Sequence, residues 1–272
     1  MKQKVGQLPN LVEFYGELAR IQEKAISRFS VVKQSLAEDT CLDRLSQGIP
    51  MLLFKDLSLD WIRVQHLFQE VASVVAKDSS DPSKEIESLR DIASNIPLLE
   101  HLVRVWYEGS SLAPVAVARG IDDAVLTFVV RATINPFLSA YSKVLLPLVN
   151  QQSWRRRYCP VCGGKPDFAY LDRERDARWL LCSRCDAEWL FLRLKCPYCG
   201  NQNQDALAYF TDEEESYLYR LYVCEECRTY IKAIDLRRTE SEVLLSLERI
   251  MTLDMDRQGQ EKGYKPGWTT VV

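Results

Sequence analysis

Histidine is nearly absent from this chain: His66 and His101 are the two in 272 residues. An acid–base catalytic set is hard to assemble from so few imidazoles with no acidic or cysteine motif beside them. Both sit on or beside the apolar faces of predicted helices, where packing is the ordinary role. Net charge is also small. Thirty-five Lys and Arg against 38 Asp and Glu leave −3, with a pI near 5.6. A general nucleic-acid binder is usually more basic, so no nucleic-acid partner is expected. No uninterrupted apolar run reaches the roughly 18 residues that span a bilayer. The most apolar part, residues 121–150, is broken by Arg131 and Lys143. Behind Lys2 and Lys4, Glu13 and Glu17 interrupt any apolar core, so no secretory signal is visible. These absences predict a cytoplasmic protein that does not insert into membranes and is not an enzyme.

Cysteine is scarce over the first 158 residues as well. Cys41 stands alone there and reads as a small buried packing residue. The other eight cysteines form four C-x-x-C pairs: Cys159/Cys162, Cys182/Cys185, Cys196/Cys199 and Cys224/Cys227. The first and third pairs share the form C-P-x-C-G, in "CPVCG" and "CPYCG". The order is therefore a four-thiolate site written twice. In a reducing compartment such pairs favour metal over disulfide. A C-x-x-C turn aims two thiolates at one ion, and two such turns complete a tetrahedron. Four cysteines leave no open position for water, so such a site is structural, or carries electrons if the ion is iron. The donor set suits zinc and iron alike, and the knuckle form occurs in zinc ribbons and in rubredoxins. Two ions, iron or zinc, are expected.

Before the knuckles the chain reads as helices. Leu11, Phe14, Leu18, Ile21, Ala25 and Phe29 recur at helical spacing after Pro9, which suits a first turn. Asp60 is positioned to cap a helix whose apolar face is Val64, Leu67, Phe68, Val71 and Val75. Asp81 and Pro82 begin another through Ile86, Leu89 and Ile92. Pro97 opens one through Leu98, Leu102, Val105 and Trp106, with Gly109 as its stop. Asp122 caps a long apolar stretch that Pro136 and Pro147 should kink or divide. Five or six helices with short loops imply a bundle over residues 1–154.

From residue 155 the pattern changes. Arg155 to Arg157 make a basic run, read as a solvated linker or as a patch facing a partner. Nineteen residues separate Cys162 from Cys182, and 24 separate Cys199 from Cys224. Each interval holds two strand-like runs around a polar turn: "DFAYL" and "RWLL" about "DRERDA", then "ALAYF" and "YLYRLYV" about "TDEEES". "AEWLFLRLK" follows Cys185 straight into Cys196, and "TYIKAID" follows Cys227. This predicts a first ribbon over 155–195 and a second over 196–238. Residues 155–200 carry ten Arg and Lys against six Asp and Glu, whereas 201–240 carry five against nine. Over 239–272 a last helix and a tail are expected. Thr239 and Glu242 have capping-box spacing, and Val243, Leu244, Leu247, Ile250 and Met251 form a stripe to pack back on the protein.

The tandem "YCPVCGG…RWLLCSRCDAEWLFLRLKCPYCG…CEECRTYIKAID" closely resembles the formate dehydrogenase accessory protein family, FdhE. The likeness is strongest over 158–235 and weaker in "EKGYKPG" and "NPFLSAYSKVLLP". It implies an α+β fold, with an all-helical N-terminal bundle followed by two rubredoxin-like or zinc-ribbon modules and a C-terminal helix. It also implies a cytoplasmic maturation factor that binds the catalytic subunit of a respiratory formate dehydrogenase before export and is needed for its activity. All eight cysteines match the family's ligands: Cys159, Cys162, Cys182, Cys185, Cys196, Cys199, Cys224 and Cys227. No partner-contact residue carries over, and oligomeric state is not implied. Two further readings stay open from the residues alone: a rubredoxin-like iron electron carrier and a zinc-ribbon nucleic-acid binder.

Overall fold

The computed structural model describes residues 4–27, 29, 37–78, 82–174, 176–211 and 217–269, with side chains from residue 11 and excluding 78 and 82–85. The Asp81 cap and most of the "TDEEES" turn lie outside the described residues. The chain divides into two compact units. The first holds the first helix and residues 53–141; the second holds residues 37–52 and 142–269. The expected class is observed: helices come first, then a sheet carrying the cysteines, then helices again.

In the first unit, helix α1 covers Lys4–Ile26, which places Pro9 in its second turn rather than its first. Three further helices follow: α3 (Trp61–Val75), α4 (Pro82–Ser94) and α5 (Ile96–Tyr107). Asp60 caps α3, its Oδ1 accepting from the amides of Ile62 and Arg63 at 3.1 and 3.3 Å. The α3 face is buried as read, through Val64, Leu67, Phe68 and Val71, with Val74 inward and Val75 half-buried. On α5 the buried stripe is Leu99, Leu102, Val103 and Trp106, rotated from the predicted one. Asn95 accepts from the Leu98 amide at 3.0 Å, so Pro97 is the second helical residue. His66 and His101 are both exposed.

A short helix α6 (Ala113–Arg119) leads to α7 (Asp123–Leu145), capped by Asp122 at 2.9 and 3.1 Å. Pro136 neither divides α7 nor ends it. Burial outweighs the missing hydrogen bond, since Ile134, Phe137 and Leu138 around it are fully buried. With the 3-10 turn Leu146–Leu148, α7 is long and apolar enough to cross a membrane by length and composition, but its most apolar window is 56% buried inside the protein. That is the burial of a core helix. The division between units falls within α7, after Tyr141.

The second unit contains one seven-stranded sheet in the order β3-β2-β1-β6-β5-β4, with β7 also beside β6. The strands are β1 (Pro166–Leu171), β2 (Arg178–Cys182), β3 (Glu188–Phe191), β4 (Leu207–Thr211), β5 (Tyr219–Cys224), β6 (Thr229–Asp235) and β7 (Lys265–Pro266). Each ribbon is a hairpin plus one strand, as the spacing implies. The ribbons are fused by parallel pairing of β1 with β6, Phe168 opposite Lys232 and Leu171 opposite Asp235. Strand β3 stops at Phe191 instead of running into Cys196. Arg178 explains the stop. Its guanidinium donates to the carbonyls of Leu192 (2.6 Å) and Lys195, holding residues 192–195 in a turn.

Helix α2 (Glu38–Ser46) also belongs to this unit, and Cys41 within it is fully buried. Past α2 the backbone pairs with the first knuckle: the amides of Met51 and Leu52 each donate at 2.9 Å, to Pro160 and Val161. The C-terminal helix is two short ones, α8 (Leu245–Met251) and α9 (Leu253–Glu261). Thr239 does not cap them; its hydroxyl accepts locally from the Ser241 amide. The predicted stripe is also corrected. Leu244 is 70% exposed, Leu247 44% and Met251 48%. Val243 does pack inward, with Leu245, on Phe168, Leu181 and Ile234, and Met255 packs on Leu221, Val223, Tyr230 and Tyr264. Polar groups also hold α8 and α9 down. Lys232 on β6 donates to the carbonyls of Arg249 and Thr252 and to Asp256 at 2.6 Å.

One buried carboxylate closes β6. Asp235 accepts from Arg220 and Arg237, each at 2.7 Å. Burial alone would raise its pKa, but hydrogen bonds from Arg237 and the charge of Arg220 hold it below the usual carboxylate value. The folded pKa is thus depressed relative to about 3.9 in the unfolded chain. The stability it contributes is fully present above that value and is lost as pH falls through the folded pKa. Thermal melts from pH 6 to pH 3 should therefore show an acid-side loss that shrinks in Asp235→Asn, which itself melts lower at every pH.

Candidate metal centres

Each cysteine pair sits in a turn closed by its own backbone. The Cys159 amide donates to the Gly164 carbonyl at 2.8 Å, and the Gly163 amide donates to the Cys159 carbonyl at 3.0 Å. The third pair repeats this, Cys196 to Asn201 at 2.8 Å and Gly200 to Cys196 at 3.1 Å. Directly after the second cysteine of every pair the backbone is left-handed: Gly163 (φ 74°), Asp186 (57°), Gly200 (84°) and Arg228 (52°). Glycine adopts this freely, whereas other residues are held there at a cost of about 1–2 kcal/mol. Asp186 is held by Arg249 at 2.5 Å. Arg228 is held by Glu225 and by the Tyr264 ring, 4.1 Å below its guanidinium.

The turns bring the eight sulfurs into two clusters: Cys159, Cys162, Cys182 and Cys185, then Cys196, Cys199, Cys224 and Cys227. Within each cluster all four Sγ atoms lie within 4.8 Å of one another. Cross-pair distances are 3.5 Å for Cys159–Cys185 and for Cys162–Cys182, and 3.7 Å for Cys196–Cys227 and for Cys199–Cys224. Disulfide sulfurs would be about 2.05 Å apart. A tetrahedral ion with bonds of about 2.3 Å has sulfur–sulfur edges of roughly 3.8 Å, so both clusters fit. Backbone amides already face the sulfurs: Gly164 to Cys162, Arg184 to Cys182 and Tyr198 to Cys196 at 3.4 Å, and Asn201 to Cys199 at 3.5 Å. Gly164 has no room for a side chain, since a Cβ there would stand 2.9 Å from the Cys182 sulfur.

The charge state of the sulfurs also points to a cation. Burial pushes the Cys159 and Cys185 thiols well above their ordinary value; Cys162 and Cys182 add to it at both, whereas the hydrogen bond from Cys185 acts the other way on Cys159. Burial acts on Cys162 in the same sense but is outweighed by hydrogen bonds from the other three sulfurs and by Arg184, so that thiol is lowered. A bound cation is what stabilises four thiolates in so small a volume.

The clusters differ in exposure. All four sulfurs of the first are buried. In the second, Cys196 and Cys224 are buried, Cys227 is half-buried and Cys199 is exposed. The segment 48–52 and Arg249 cover the first. Arg249 donates to the Cys182 carbonyl at 2.5 Å and pairs with Asp167 at 2.9 Å and Asp186 at 2.5 Å. Attractions from those carboxylates outweigh its burial and raise its pKa. Arg249, Asp167 and Asp186 were not singled out from the sequence, because their spacing carries no motif. The basic run is pinned as well: Arg155 donates to Gln152 at 2.6 Å, Arg156 lies over Trp154, and Arg157 donates to the Tyr198 carbonyl.

Loss of metal should follow exposure. On titration with a chelator, one ion per chain is expected to leave well before the other. Iodoacetamide followed by peptide mass spectrometry should find Cys199 labelled first. Labelling of Cys159 at an equal rate would contradict this order.

Comparison with known proteins agrees with the likeness read from the sequence. The family model described as FdhE, central domain, matches residues 158–193. A protein named "Protein FdhE homolog" from Aquifex aeolicus is 28% identical over 268 residues, covering 97% of this chain and 88% of that protein. "Protein FdhE" from Escherichia coli O127:H6 is 29% identical over 112 residues, 40% of this chain and 35% of the relative's length. Among solved structures, the FdhE protein from Pseudomonas aeruginosa shares the fold with a TM-score of 0.58 at 21% identity, over 93% of this chain and 86% of that one.

Proposed function

From the resemblance to FdhE proteins along nearly the whole chain, we propose that this protein is a cytoplasmic accessory factor for formate dehydrogenase and binds its catalytic subunit during maturation. Each four-cysteine cluster holds one ion, zinc or iron, with the eight sulfurs as ligands. The observation that carries the reading is closure: four sulfurs per cluster leave no coordination position for substrate or water. An ion held so ties a sheet together and does not activate a nucleophile. Two such ties in one fused sheet make a rigid platform, which suits recognition of another protein. Tagged protein recovered from cells grown on formate should bring down the catalytic subunit. Repeated recovery without that subunit, under conditions that preserve both ions, overturns the proposal.

The exposed edge of the second cluster supports one alternative. An iron held by Cys199 and Cys227 lies within reach of a redox partner, as an electron carrier requires. Anaerobically purified protein would then contain iron and bleach on reduction. Zinc in both clusters excludes it.

A further inference from the structure

We infer that a cavity beside the second sulfur cluster is a binding site for a carboxylate monoanion on a small apolar body. The cavity has a volume of about 190 Å³. That is room for about six waters at ~30 Å³ each, or for one small organic acid. Its wall contains Arg178, Arg193, Lys195 and Arg220 and, among the described residues, no Asp or Glu. Tyr209 and Tyr222 stand between the cations. The Arg220 guanidinium lies 4.9 Å from the Tyr209 ring centre, and that of Arg178 lies 5.8 Å from Tyr222. Rings attract a cation's face without neutralising its charge.

Arg178 is the decisive group. It is 3% exposed, and its hydrogen bonds go to two backbone carbonyls. Among the described residues no carboxylate pairs with it. A buried charge is ordinarily paired. The surrounding cations do not release a partner for it. Arg220 and Arg237 share Asp235, while Arg193 and Arg237 share Asp176. Arg178 and Lys195 are left without a carboxylate among the described residues. The second cluster lends Cys196 and Cys224 to the wall, so its ion and thiolates set the field on that side. One carboxylate can pair with Arg178 as Asp235 pairs with Arg220. A planar carboxylate suits a guanidinium. The apolar body matches Leu194 and Tyr209, 57% and 52% exposed at the rim.

The inference rests on the second cluster holding a divalent ion and not on the client proposed above. The same carboxylate chemistry is offered by a free small acid and by a Glu side chain beside a Leu on another protein. Calorimetric titration of the full chain, with two divalent ions per chain verified, separates them. The probes are 3-methylbutanoate, the blocked peptide acetyl-Leu-Glu-Leu-amide, neutral 3-methylbutanamide and inorganic phosphate. At least one carboxylate probe is expected to bind ten-fold or more tighter than the amide and phosphate. Tighter binding of the peptide assigns a protein side chain, and tighter binding of the free acid assigns a metabolite. Arg178→Met should abolish binding. Arg193→Ala, on the rim, should weaken it at least five-fold with metal content unchanged; it decides the matter if Arg178→Met fails to fold. Equal binding of the amide, no carboxylate binding at millimolar concentration, or undiminished binding by Arg193→Ala overturns the inference.

Discussion

Cys182→Ser is expected to remove one ion per chain and to melt the fused sheet. Cys199→Ser should remove one ion and leave the first ribbon folded. Cys182 ends β2, is fully buried, and offers its carbonyl to Arg249 and its sulfur to the Arg184 amide. A structural zinc contributes about 10–16 kcal/mol in small domains. A whole domain is stable by only about 5–15 kcal/mol. Loss of the first ion therefore exceeds what β1, β2 and β3 retain, and β1 is the strand that joins the ribbons. Cys199 lies at an exposed edge, bonded at its sulfur by one amide, so its loss is confined to the second ribbon. The helical unit has its own core through Val64, Phe68, Leu99, Leu102 and Phe137, and its circular dichroism should survive in both variants. Elemental analysis with thermal melts distinguishes the two. Equal losses in both variants would mean that the sulfur clusters unfold as one unit.

Arg249→Met is expected to cost about 3–5 kcal/mol, the usual penalty for breaking a buried ion pair by removing one partner. Its guanidinium, 18% exposed, is the cation for Asp167 and Asp186, and it also occupies the Cys182 carbonyl. Arg249→Lys should recover only part of the loss. One ammonium cannot reproduce a fork whose two arms reach a strand start and a cysteine turn. The double variant Arg249→Met/Asp186→Asn should lose less than the sum of its parts, because the uncompensated carboxylate is gone. Denaturant midpoints measure all three. Full additivity would show that Arg249 and Asp186 do not act together.

The cysteine turns were legible because their signal is local: the paired cysteines are three apart, and the closing bonds span four or five residues. The caps at Asp60 and Asp122 were legible for the same reason. The stripe on α8 was misread because Val243 to Met251 have helical period but too few helical residues. The helix begins at Leu245, and its inward contacts are made by Leu245 and Arg249, with Thr252 buried at its end. Asp186 and Arg228 hold the left-handed position that glycine holds in the other two turns, so composition hid the fourfold equivalence.

What the sequence by itself determined is the pair of sulfur clusters, the helices ahead of them and the strands between, since each follows from contacts within about thirty residues. Tertiary structure alone decided that the two ribbons share one sheet. Alternation marks a strand but cannot choose its neighbour, and Phe168 pairs beside Lys232 because buried faces fit there. It also decided that two clusters of one composition differ in exposure. The segment 48–52 and Arg249 cover the first cluster, while Cys199 in the second remains exposed.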